Sequence, residues 1–297
     1  MGCRHPSGQA VPPGWAGTAL AAAALLPYTG RMTDATRPRP PSALAELTAA
    51  IIFLTRVPLP FRGEWTADLH QRAMTWFPIV GALIGAAGGL VYWGADAAGL
   101  PPTLSALLAL AALVWLTGAL HEDGLADVAD GFGGGRDRAA KLEIMKDSRI
   151  GTYGGVALLL AVLLRGGALA TLADPRTVAL ALIGAHAFTR GVMPLLKLAL
   201  PEARQGGVSA SMGKPNSARA LTAAFIGFSL GATALGQMHL DSGLHGLAVL
   251  AAATLATVLV GRLALRQIGG VTGDVLGAAQ QLGEIAFLLA LISVTAA

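Results

Sequence analysis

Seven stretches of 18 to 21 residues run almost without charge: 76–95, 103–120, 154–173, 177–196, 219–237, 244–264 and 276–296. A helix needs about 20 apolar residues to cross the hydrocarbon layer, and within that layer each backbone polar group must be bonded internally. The spacing therefore predicts an all-α, polytopic membrane helix bundle with about seven transmembrane helices. A shorter apolar piece, ALAELTAAIIFL at 43–54, runs into RVPLP. It is too short to span, and is expected to be an interfacial or re-entrant helix stopped by Pro58 and Pro60.

Composition agrees. The 297 residues are 54% hydrophobic and 13% charged, whereas soluble domains are about a quarter charged. Ala, Leu, Val and Gly dominate the apolar surface, which suits close helix contact in lipid. The net charge of +4 does not make a nucleic-acid binder, because the basic residues sit in loops between apolar runs. Cys3 is the single cysteine, so neither an internal disulfide nor a cysteine metal cluster is possible. Residues 1–42 read as a disordered or over-extended tail ahead of one integral membrane catalytic domain, 43–297. Within that tail, 1–31 reads as an over-extended start or disordered tail in preference to a cleaved signal. Its MGC opening lacks the Ser or Thr that myristoylation wants at position 6, where Pro6 stands.

Lys and Arg alternate between connections. They are frequent before the first span, absent from ADAAGLPPT, frequent in 121–153, sparse after the third span, frequent in 197–218, absent from QMHLDSG, and present again as Arg262 and Arg266. The positive-inside rule then puts 121–153, 197–218 and 265–275 on the cytoplasmic face of a bacterial inner membrane, with the C-terminus outside.

The chemistry is concentrated in one of these connections, LHEDGLADVADGFGGGRDRAAKLEIMKDSRIGTYGG. Asp123, Asp127 and Asp130 are spaced i, i+4, i+7, which is one helical face. Three carboxylates sharing a face repel unless a cation sits among them, and a hard divalent ion, Mg²⁺ or Mn²⁺, is the natural one. Asp137 could complete the ligand set, with His121 and Glu122 adjoining. GFGGG follows, either as a backbone cradle for phosphate or as a plain hairpin. Arg136, Arg138, Lys146 and Arg149 then offer charge for a di- or triphosphate, Lys146 and Arg149 on one helical face. Together these suggest metal-assisted transfer on a phosphate ester, with His121 a candidate base. Two further connections contribute. QGGVSASMGKPNSARA reads equally as a substrate-binding loop carrying Lys214 or as a plain loop capped by Asn216 or Ser217. In GGVTGDVLGAAQQLGEIAFLL, Asp274, Gln281 and Glu284 share a face and can point towards the acids, while the glutamines also suit helix–helix hydrogen bonding.

FLTRVPLP (53–60), WFPIVGALIGA (76–86), GALHEDGLADVADGFGGGRDR (118–138), LEIMKDSRIGTYG (142–154) and GGVTGDVLGAAQQL (269–282), in this order, resemble the cobalamin synthase family, the adenosylcobinamide-GDP ribazoletransferases. The resemblance runs from about residue 43 to the C-terminus. It implies a Mg²⁺-dependent membrane enzyme. α-Ribazole or its 5′-phosphate attacks the corrinoid-bound phosphate of adenosylcobinamide-GDP, and GMP leaves. By motif match it implies metal and catalytic roles for Asp123, Asp127 and Asp130 beside His121, and phosphate roles for Lys146, Asp147 and Arg149. Glu122 stands where the family also has apolar residues. A CDP-alcohol phosphotransferase is the alternative of the same chemistry, since DVADG echoes that motif's opening, but the rest of the motif is missing. An ion-coupled transporter is the non-enzymatic alternative, disfavoured because the acids lie at one face and no repeat is found. The expected partners are these small molecules and the lipid bilayer. A homo-oligomer is left open.

Overall fold

The computed structural model describes residues 41–61, 64–238 and 243–295. The expected tail, all but its last two residues, lies outside them. Every element of regular structure among the described residues is helical, apart from an isolated bridge between Glu202 and Val271.

Twelve α-helices follow one another: α1 Ala43–Leu54, α2 Ala67–Ala73, α3 Phe77–Ala97, α4 Pro102–Thr117, α5 Leu120–Gly134, α6 Arg138–Ile144, α7 Thr152–Leu172, α8 Pro175–Ala199, α9 Val208–Met212, α10 Ser217–Gly236, α11 Gly243–Ile268 and α12 Gly273–Thr295. Six are long and apolar enough to cross a membrane: α3 together with the turn and helix before it, α7, α8, α10, α11 and α12. Their outward faces carry Leu83, Trp93, Leu163, Phe225 and Leu255, as lipid requires. The 43–54 piece is a helix of 12 residues, too short to span.

The segment 103–120 departs from expectation. It stops as a helix at Thr117 and turns by 90° into α5, so α4 and α5 make at most one broken span. The cause is local: Gly118 (φ 66°) and Ala119 (φ 58°) are both left-handed, a conformation that ends a helix. Gly118 also leaves room for the Arg56 side chain, which a Cβ would meet at 2.1 Å. The connection 121–153 is therefore not an open loop. Its first half is α5, packed mainly against α12 and α7.

Glycines set the helix spacing. Gly81, Gly85 and Gly89 form one stripe of α3. A Cβ there would lie 2.3 Å from His186 O, 2.4 Å from Leu182 O and 2.7 Å from Ala179 Cβ of α8. Gly191 of α8 and Gly227 of α10 make a second such contact, at 2.9 Å. Small residues at i, i+4 are how helices approach closely in lipid, where burial of apolar surface drives nothing.

Candidate active site

Gly124 and Gly277 bring α5 and α12 together. A Cβ on Gly124 would sit 2.7 Å from Asp274 O, and one on Gly277 3.2 Å from His121 O. α12 begins three residues earlier than the apolar pattern predicts, so Asp274 falls in its first turn. As a result Asp123 and Asp127 of α5 face Asp274. The Asp127 carboxylate interacts with the charges of Asp123, Asp274 and Asp130 and, with opposite sign, of Arg204. Asp274 is held by Arg204 Nη2 at 3.4 Å and by the Thr272 hydroxyl at 3.1 Å. Neither Asp123 nor Asp127 is in an ion pair among the described residues.

Asp130 has a different setting. Its Oδ2 accepts from Gly151 N–H at 2.7 Å and its Oδ1 from Gly154 N–H at 2.9 Å. It satisfies the open N–H groups at the start of α7, where a helix dipole favours negative charge. Gly151 and Gly154 are small because a Cβ would lie 2.4 Å and 2.3 Å from that carboxylate. Asp137 is also a cap: it starts α6 by accepting from Ala140 N–H at 2.9 Å.

GFGGG corrects the expectation of a loop. Residues 131–134 close α5, and Gly135 N–H donates to Gly131 O, so no backbone cradle forms. Lys146 and Arg149 do not share a helix either, because α6 ends at Ile144. Both are exposed. Lys146 reaches Glu143 at 3.3 Å, and Arg149 grips Asp147 at 2.6 Å. That grip holds the Asp147 carboxyl below its ordinary range. Arg136 is exposed, while Arg138 ties α6 to the end of α11 by donating to Ile268 O and Ala203 O, each at 2.7 Å. Lys214 is exposed and donates to Leu198 O at 3.4 Å. The 205–220 connection holds α9, and Asn216 caps α10 as one of the two expected residues.

Behind the acids lies a buried polar network, in which the glutamines make the helix–helix hydrogen bonds expected of them and Arg165, His186 and Arg190 are unexpected members. Arg165 of α7 contacts Glu122 at 3.1 Å and Glu284 at 2.9 Å, and donates to Gln281 at 2.8 Å. Gln281 donates to Glu122 at 3.0 Å and Gln280 to Glu284 at 2.7 Å. On α8, Arg190 donates to His186 Nδ1 at 2.7 Å and reaches His121 Nδ1 at 3.5 Å, while His186 Nε2 lies 3.4 Å from Glu284. Two guanidinium groups balance two carboxylates, the condition for keeping charge out of water. Gln281 and Glu284 therefore belong to this network rather than to the acidic face. Arg165, His186 and Arg190 were visible as lone ionisable residues inside apolar runs, a signal worth following. Lys197, counted above as a loop charge, is buried at the end of α8 and bonds Glu202 at 2.6 Å and Ser209 at 2.8 Å.

An apolar cavity of about 210 Å³ opens beside the acids, lined by Phe53, Met74, Phe77, Met193 and Met212, with His121, Asp123, Lys197 and Asp274 on its wall. A polar chamber of about 80 Å³, holding Arg204 and Glu202, adjoins it across Ser209 and Asp274.

Does this site suit a divalent cation? As the side chains stand, no three His, Cys, Asp or Glu converge on one point among the described residues. Mg²⁺ does not need three: it keeps several waters and is held by one or two carboxylates plus substrate phosphates. The unpaired Asp123 and Asp127, one turn apart opposite Asp274, suit that mode.

Comparisons with known proteins show the family. The family model described as cobalamin-5-phosphate synthase matches residues 46–292. The chain belongs to the cobalamin-5-phosphate synthase family. A relative from Bradyrhizobium diazoefficiens, named adenosylcobinamide-GDP ribazoletransferase, is 48% identical over 249 residues, covering 84% of this chain and 93% of its own. Relatives of the same name from Mesorhizobium japonicum and Azorhizobium caulinodans are each 45% identical, covering 84% of this chain and 93% and 96% of their own. No solved structure matches the chain. The matched span holds the acidic face of α5, the cap on α7, the buried network and the cavity.

Proposed function

We propose that this protein transfers the adenosylcobinamide-phosphate moiety of adenosylcobinamide-GDP to α-ribazole or its 5′-phosphate, the last assembly step of cobalamin biosynthesis. An acceptor hydroxyl oxygen bonds to the corrinoid-bound phosphorus. The bond from that phosphorus to the bridging oxygen breaks, GMP leaves with the oxygen, and the hydroxyl proton passes to an acidic side chain or to water. The observation that carries the reading is the pair of unpaired carboxylates, Asp123 and Asp127, facing Asp274 beside a cavity in a chain of this family.

Asp123 and Asp127 would hold Mg²⁺, which would supply positive charge to neutralise the diphosphate. Arg204, beside Asp274, and the exposed Arg136, Lys146, Arg149 and Lys214 would supply positive charge for the phosphates. The buried network holds α5 at fixed depth and orientation against α7, α8 and α12, so the acids are positioned before substrate arrives. The Lys and Arg of its connections support a cytoplasmic position for this end, at the inner membrane.

The test is to reconstitute the purified protein in lipid with adenosylcobinamide-GDP, Mg²⁺ and each acceptor, and to identify the nucleotide product. GMP with formation of the cobalamin supports the assignment. CMP release from a CDP-alcohol, with none from the corrinoid, would replace it.

A further inference from the structure

We infer that the apolar cavity between α1, α3, α5, α8, α9 and α12 seats the heterocyclic base of the acceptor, and that His121 recognises the base's free ring nitrogen by donating a hydrogen bond. The inference rests on the proposed function and adds a location and a recognition contact.

Size comes first. A cavity of about 210 Å³ is smaller than the roughly 300–1,000 Å³ of sites for drug-sized ligands. It therefore takes one part of a substrate, a fused bicyclic ring, and is too small for a corrin or a whole nucleotide. Two aromatic and three methionine side chains line it, which favours a flat apolar ring over a sugar or phosphate.

Among the polar groups on the wall, His121 is the one suited to a ring nitrogen, since Lys197 is engaged by Glu202 and Ser209 and the others are carboxylates or a hydroxyl. His121 is 2% exposed, and its Nε2 has no partner among the described residues. Its Nδ1 faces Arg190 Nη2 at 3.5 Å. A guanidinium only donates, so Nδ1 must offer its lone pair and the ring proton sits on Nε2. Arg190 imposes the same tautomer on His186 from 2.7 Å. In this tautomer His121 carries a free N–H on Nε2. A benzimidazole glycosylated on one nitrogen keeps a lone pair on the other and matches this donor.

Orientation follows. Asp123 and Asp274 stand on the cavity wall, and the polar chamber beyond Ser209 and Asp274 holds Arg204, whose Nη1 has no partner among the described residues. A base seated in the cavity leaves its ribose at the carboxylates and any 5′-phosphate near Arg204.

The experiment uses the full chain in lipid and measures GMP release with two acceptors: benzimidazole riboside and indole riboside, which has C–H in place of the acceptor nitrogen. The wild type should prefer benzimidazole riboside by about 10- to 100-fold, the cost of leaving a buried donor unpaired. That preference should collapse in His121→Leu and persist in His121→Gln. Met212→Trp, which fills the cavity from the short α9, should raise the KM for benzimidazole riboside by about 10-fold or more and leave the donor KM within about two-fold. Equal use of both ribosides by the wild type, or a Met212→Trp effect confined to the donor KM, would overturn the inference. Because Met212→Trp leaves the network untouched, the test survives if His121→Leu does not fold. Absence of GMP release with any acceptor would instead refute the underlying function.

Discussion

The Arg165 guanidinium lies 2.9 Å from the Glu284 carboxylate, with both side chains buried between α7 and α12. Glu122 completes the set from α5 at 3.1 Å. The helix bearing the acidic face is thus locked by charge to two helices of the bundle. Removing one partner strands the other charge where water cannot reach it. Arg165→Leu and Glu284→Leu should each lower stability by about 3–5 kcal/mol, read as a large drop in unfolding temperature in detergent. The double replacement should recover much of the loss.

Asp130 and the start of α7 form a second lock. Asp130→Ala removes a cap and should cost about 0.5–2 kcal/mol. Gly154→Ala should destabilise as well, because its Cβ would fall 2.3 Å from the carboxylate. The two effects should be far from additive, since both act on one contact. Thermal unfolding of the singles and the double checks this.

The glycine stripe of α3 sets the distance to α8. Gly85→Val must move a backbone carbonyl that lies 2.4 Å from the new Cβ position. A loss of about 1–3 kcal/mol or more is expected, while Gly94→Ala, with open space around it, should be neutral. Comparing the folded yield and unfolding temperature of the two variants tests whether close approach is the reason for the stripe.

Arg149 is exposed and, among the described residues, paired only with its neighbour Asp147. Arg149→Ala should therefore leave the unfolding temperature unchanged. If the guanidinium serves the diphosphate, the KM for adenosylcobinamide-GDP rises and that for the acceptor does not. Steady-state kinetics with each substrate varied in turn decides it.

Much of this was readable from the residues, for physical reasons. Hydrophobic length located the spans because lipid imposes it. The i, i+4 spacing of Asp123 and Asp127 located the acidic face because it is a helix. Other features depend on distant partners. Asp130 meets Gly154 across 24 residues, so its capping role had no local signature beyond the glycines of RIGTYG. The break at Gly118 and Ala119 lay inside an apolar run, where averaged hydropathy conceals it. GFGGG looked like a loop by composition, but packing against Tyr153, Met145 and Lys141 keeps it helical. Arg165, His186 and Arg190 stood out as ionisable residues in apolar runs, but most of their partners lie on other helices.

The most direct measurement compares GMP release from adenosylcobinamide-GDP by the wild type, Asp123→Asn and Asp127→Asn in lipid, with Mg²⁺ or with a chelator. Both variants remove charge without breaking an ion pair, so they should fold with unfolding temperatures near that of the wild type. The account predicts that release requires Mg²⁺ and falls by about 100-fold or more in each variant. Full release by either variant, or by the wild type in chelator, would contradict it.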